Sequence, residues 1–140
     1  MEHGTACKTD VMVAWARIMF GFWLLSTTIL FLINYRVYLP PEINRHIQQG
    51  LMLHVAGFFI GSAFGWFGFA RDSLIKTVFF CAGLFLFGAI LETCQLLVTY
   101  RYFNFKDIMA NGLGIGLFLL CLPFVSRLIK WSLFTIHSPS

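Results

Sequence analysis

Four stretches of mostly apolar residues, each about 20 residues long, divide this chain, and nothing constrains its fold more. They run from about Val11 to Ile33, Leu51 to Ala70, Ile75 to Tyr100 and Ile108 to Val125. A backbone inside lipid must satisfy its own N–H and C=O groups, so each stretch is expected to be a membrane-spanning helix. The connections are short: Pro40 and Pro41 break the first, the second is a few residues around Arg71 to Ser73, and the third is about Arg101 to Asn104. Short links make sequential helices antiparallel neighbours. The expected fold is therefore all-α, an integral membrane four-helix antiparallel bundle. Residues 1–10 form a polar N-terminal segment, 11–130 the bundle and 131–140 a C-terminal tail.

Composition agrees. The chain is 59% hydrophobic and 11% charged, with 17 phenylalanines. Soluble domains carry about a quarter charged residues, so lipid is the expected partner of this surface. The first stretch is longer than a signal-peptide core and has no A-x-A-like site after it, so it reads as a retained helix. The net charge of +4 comes from single basic residues between apolar runs, a pattern of headgroup anchoring that excludes nucleic acid as a partner. Lys8, Arg17, Arg71, Lys76, Arg127 and Lys130 fall on the side of the termini, against Arg36, Arg45, Arg101 and Lys106 on the other. The positive-inside rule then places both termini in the cytoplasm.

Cys7, Cys81, Cys94 and Cys121 show no CxxC spacing, and three of them lie inside apolar runs. They read as packing residues, with no zinc site or disulfide framework.

The polar residues within the spans carry the functional signal. Glu92 lies in the third stretch, roughly 12 Å below Tyr100 at 1.5 Å per residue. An ionised carboxylate at the centre of a bilayer costs at least about 2.5–3.5 kcal/mol, so Glu92 must be protonated or face partners in the bundle. Gln95 shares its helical face at i+3, extended by Gly88 and Thr99. On the fourth stretch Asp107, Asn111 and Gly114 share one face. Folding the hairpin symmetrically about Arg101–Asn104 sets Gln95 level with Asn111 and Glu92 level with Gly114, with Asp107 and Arg101 at the mouth. On the second stretch Gly57, Gly61 and Gly65 belong to a small-residue stripe suited to close helix packing, and His54 is its one large polar group.

The run LETCQLLVTYRYFNFKDIMANGLGIGL, Leu91 to Leu117, resembles the signature of the VanZ-like family. That signature is a Glu-x-x-Gln, an Arg in the turn, then Asp-x-x-x-Asn-x-x-Gly, here Glu92, Gln95, Arg101, Asp107, Asn111 and Gly114. The stretch LHVAGFFIG around His54 is similar to the start of the family's second half, and the resemblance covers about Gly50 to Val125. Tyr100 stands where members often have Pro or Gly. The founding member is associated with teicoplanin resistance. The resemblance therefore implies a bacterial inner-membrane protein of cell-envelope biogenesis or glycopeptide-type resistance.

Three readings follow. The first is a pocket between the second, third and fourth helices that binds a lipid-linked or glycopeptide-like ligand. Arg101 would meet an anionic group, and Glu92, Gln95, Asp107, Asn111 and His54 would supply hydrogen bonds. The second is an intramembrane enzyme acting on a lipid-linked substrate, with Glu92 and Asp107 as acid and base, or with His54 joining them around a divalent metal. No nucleophile stands out and no metal motif is complete in sequence, so neither cofactor nor metal is expected. The third is a small transporter with Glu92 as proton carrier. Four-helix multidrug exporters carry their acid in the first helix, and this one has none. The plain alternative to all three is that Glu92, Gln95 and Asn111 only join helices, while Asp107 or Asn104 caps the fourth. Oligomerisation and a protein partner are left open by the sequence.

Overall fold

A computed structural model describes residues 3–32, 50–98 and 104–136, with side chains described over 9–31, 50–97 and 104–127. Within these residues the chain is helical with no strand. Helix α1 spans His3–Leu32, α2 Leu51–Gly65, α3 Leu74–Val98 and α4 Phe105–Ile136. A single π-helical segment, Trp66–Ala70, continues α2. All four helices are long and apolar enough to cross a membrane, counting α2 with its π segment. The protein is a multi-pass membrane protein.

Two helices extend beyond their apolar stretches. α1 begins at His3 rather than Val11, and α4 continues to Ile136 rather than Val125. The sequence holds neither Pro nor Gly between Thr5 and Phe20, or between Phe124 and Ile136, so nothing stops either helix at the edge of the apolar run. At 1.5 Å per residue these helices are about 45–48 Å long, well beyond a hydrocarbon core of about 30 Å. Pro123 lies inside α4 and removes one backbone hydrogen bond. The Ser126 hydroxyl donates to the Pro123 carbonyl at 3.0 Å.

The core is apolar and aromatic. Phe58, Trp66 and Ala70 from α2 and its π segment meet Cys81 and Leu84 of α3 and Ile115 and Phe118 of α4. α1 lies at the periphery: 6% of its spanning window is buried, against 28–33% for the other three. It docks through Phe20 and Trp23, whose rings stack at 5.6 Å and reach Phe80, Phe58 and Phe87.

The most extensive interface joins α2 to α4, which are not sequential. Gly114 makes it feasible, because a Cβ there would collide with the Val55 carbonyl oxygen. The space expected beside Glu92 is thus filled by the α2 backbone. Two glycines of the small-residue stripe of α2 receive aromatic side chains rather than a neighbouring backbone. Gly61 receives the Trp23 indole, and Gly65 receives Phe80 and Phe20. A Cβ at Gly57 would meet nothing within 4 Å among the described residues, so it takes no part in the close packing seen along the stripe there.

The end of α2 is held by side chains. Arg17 donates from Nε to the Gly68 carbonyl at 2.9 Å, and its guanidinium lies over Phe69 at 5.2 Å. The Thr77 hydroxyl lies 3.1 Å from the Ala70 carbonyl and 3.0 Å from that of Ser73. Carbonyls at a helix C-terminus lack intrahelical donors, and a cation there also meets the negative end of the helix dipole.

Candidate functional site

The polar residues gather at the opposite end of the bundle. His54 is in the first turn of α2, Glu92 lies six residues before the end of α3, and Asp107 is in the first turn of α4. His54 is half-buried, and the others are sequestered: Glu92 is 2% exposed, Gln95 3%, Asp107 8% and Asn111 0%. They lie on the inward faces, since the buried positions of α3 include Cys81, Leu84, Gly88, Leu91, Glu92 and Gln95, at alternating helical steps.

Asn104 sets the start of α4. Its Oδ1 accepts from the Lys106 backbone N–H at 3.2 Å, and its Nδ2 donates to Asp107 Oδ1 at 3.0 Å. Asn104 is therefore the cap and Asp107 the residue it orients. With Oδ1 held in this way, Asp107 Oδ2 faces His54 Nε2 at 3.9 Å. That separation is too long for a hydrogen bond.

His54 Nδ1 lies 2.9 Å from Asn111 Oδ1. A carbonyl oxygen only accepts, so Nδ1 carries a proton and Nε2 is the nitrogen that faces Asp107. Phe31 of α1 packs edge-on against the imidazole at 4.9 Å. Below the cluster, Phe58 is 1% exposed and closes it from the apolar core. Gly88 leaves the space that Asn111 occupies, since a Cβ there would come within 2.8 Å of both Asn111 Nδ2 and the Phe58 ring. Asn111 Nδ2 is buried and has no acceptor among the described residues.

One oxygen each of Glu92 and Asp107 and one His54 ring nitrogen lie within 4.8 Å of one another. Glu92 thus meets Asp107, and Asn111 meets Gly88. Both pairs are centred between residues 99 and 100. The symmetric hairpin centred near residue 103, with Gln95 opposite Asn111 and Glu92 opposite Gly114, does not form. α4 starts at Phe105, immediately after its Asn104 cap.

Of the residues singled out in the sequence, His54, Glu92, Asp107 and Asn111 come together, and Gln95 is buried one turn from Glu92 on the same face. Arg101 lies outside the described residues, as do Thr99 and Tyr100. Phe31 was not legible as part of the site, being one phenylalanine among 17. Phe58 had only a spacing signal, one turn from His54.

Chemically, the cluster offers two carboxyl groups, one imidazole and the Asn111 amide N–H group in a site walled by aromatic rings. It suits proton exchange, cation binding or the holding of a polar headgroup. Comparisons with protein-family models, with curated proteins and with solved structures each returned no match.

Proposed function

We propose that this protein binds the polar, anionic headgroup of a lipid-linked ligand between α2, α3 and α4, in cell-envelope biogenesis or glycopeptide-type resistance. The observation that carries this reading is the convergence of His54, Glu92, Asp107 and Asn111 at one end of an otherwise apolar bundle. Buried ionisable groups in a spanning helix are costly, and they mark ligand, ion or proton sites. A structural role alone would be met by fewer and neutral groups. The resemblance to the VanZ-like signature adds the envelope context, with the bacterial inner membrane as location and both termini in the cytoplasm. Arg101 would face the anionic group from the turn.

The test is retention of a long-chain lipid phosphate, against the uncharged alcohol of the same chain, by protein in nanodiscs. The reading expects preference for the phosphate and at least a tenfold loss in Arg101→Ala and Asn111→Ala. Equal retention of phosphate and alcohol would rule it out.

The proximity of Glu92, Asp107 and His54 favours a second reading, an intramembrane enzyme on the same ligand class. One carboxyl would donate a proton while the other, or the His54 lone pair, accepts one. It requires turnover, abolished in Glu92→Gln while ligand retention persists. Retention without turnover would leave only the binding reading.

A further inference from the structure

We infer that His54 Nε2, Glu92 and Asp107 form a binding site for one divalent cation, Zn²⁺ or Mn²⁺, with Asn111 as its positioning residue. No metal motif is complete in the sequence, because the three ligands come from three helices and meet only on folding.

The first argument is distance. Ligand atoms on one zinc ion lie about 2.0–2.2 Å from it, so two of them are about 3.3 Å apart in a tetrahedral site and slightly over 4 Å at most. His54 Nε2 and Asp107 Oδ2 are 3.9 Å apart, too far for a hydrogen bond and within the reach of a shared ion. One ring nitrogen of His54 and one oxygen each of Glu92 and Asp107 lie within 4.8 Å of one another, so the three residues are near enough to share one ion.

The second is the state of the histidine. Metal binds a neutral imidazole nitrogen, and the hydrogen bond made by the other nitrogen selects which one. Asn111 Oδ1 lies 2.9 Å from Nδ1 and accepts its proton, so Nε2, which faces Asp107, is the nitrogen available to a metal ion. A carbonyl partner behind the histidine is the usual support of a metal ligand.

Charge is the third. Metal ligation takes carboxylates in their ionised form and imidazole in its neutral form, and a divalent cation among two such carboxylates brings the net charge to zero. One histidine with two carboxylates matches Zn²⁺ and Mn²⁺ better than the soft ions that thiolates select.

Finally, Asn111 is fully buried, and its Nδ2 has no acceptor among the described residues. Three protein ligands leave a coordination position open, as in sites that hold water or substrate on zinc. The cation also reconciles the two acids with an anionic headgroup, although the site rests on its own geometry.

The test uses the full chain, untagged, in detergent, stripped with a chelator and titrated calorimetrically with Zn²⁺ and with Mn²⁺ alone. We expect one saturable site per chain. Glu92→Gln and Asp107→Asn should each lose it, and Asn111→Ala should weaken it 10- to 100-fold. Asn111→Asp, which keeps an oxygen on Nδ1, should restore binding. Asp72→Asn, at the other end of the bundle, should bind as wild type. A folded wild-type protein that takes up neither ion overturns the inference, as does uptake unchanged in Glu92→Gln and Asp107→Asn. If the carboxylate variants do not fold, the Asn111→Ala and Asn111→Asp pair decides, and equal affinity in both overturns it. Lipid-phosphate retention is measured separately, so failure of either reading leaves the other readable.

Discussion

Asn111 Oδ1 and His54 Nδ1, 2.9 Å apart, fix which imidazole nitrogen faces the carboxylates. A hydrogen bond between spanning helices contributes about 0.6 kcal/mol on average and up to about 1.7. Asn111→Ala is therefore expected to lower stability by about 1 kcal/mol in unfolding from mixed micelles. A loss above about 4 kcal/mol would show that Asn111 is chiefly a structural bolt between α2 and α4.

The spans, and the residues that converge, were legible because lipid imposes a length and penalises every buried charge. Glu92, Asp107, Asn111 and His54 stood out against apolar neighbours for that reason. The register was not legible. Glu92 opposite Asp107 depends on where α4 starts, and that start is set by the Asn104 cap rather than by a count along the hairpin. Nor was the partner of Gly114, since the α2–α4 contact joins helices that are not sequential. The π segment at Trp66–Ala70 has no counterpart in the apolar pattern, which continues across it unchanged.

The register makes a covalent prediction. In a background without native cysteines, Gly88→Cys paired with Asn111→Cys should form a disulfide under mild oxidation, and Gln95→Cys with Asn111→Cys should not. The reverse result would restore the symmetric hairpin and remove Glu92 from Asp107.

Glycines at Gly57 and Gly114 should respond in opposite ways. Gly57→Ala meets open space and should leave stability unchanged or slightly raised, since alanine is the better helix former by about 1 kcal/mol. Gly114→Ala drives a methyl group into the Val55 carbonyl and should cost at least about 1–3 kcal/mol, the usual range for overpacking. Thermal melting in detergent separates them, and equal effects would contradict the packing described.

Asn104 links the α4 cap to the site. Asn104→Ala removes the acceptor for Lys106 N–H and the donor to Asp107 Oδ1, and caps of this kind contribute about 1 kcal/mol. Asn104→Asp keeps the cap and sets a second carboxylate against Asp107. Stability should fall in Asn104→Ala, whereas ligand retention should fall in both. Unchanged retention in Asn104→Asp would mean that the orientation of Asp107 does not matter to the site.

At the other end, Arg17→Leu leaves the Gly68 carbonyl without its donor and should lower stability by about 1–2 kcal/mol. Arg17→Lys keeps the charge near the helix end without the Nε geometry and should fall between wild type and Arg17→Leu. Ligand retention should be untouched in both, because the site lies at the far end of the bundle.

Glu92→Gln is the most direct test of the claim that the buried cluster serves a ligand. The substitution preserves size and removes an ionisable group whose charged form is costly in lipid. Thermal stability and lipid-phosphate retention should be measured on the same preparation. The account predicts a transition temperature equal to wild type or higher, with retention reduced at least tenfold. A lowered transition temperature with retention unchanged per folded molecule would contradict it, and would make Glu92 a structural link between helices.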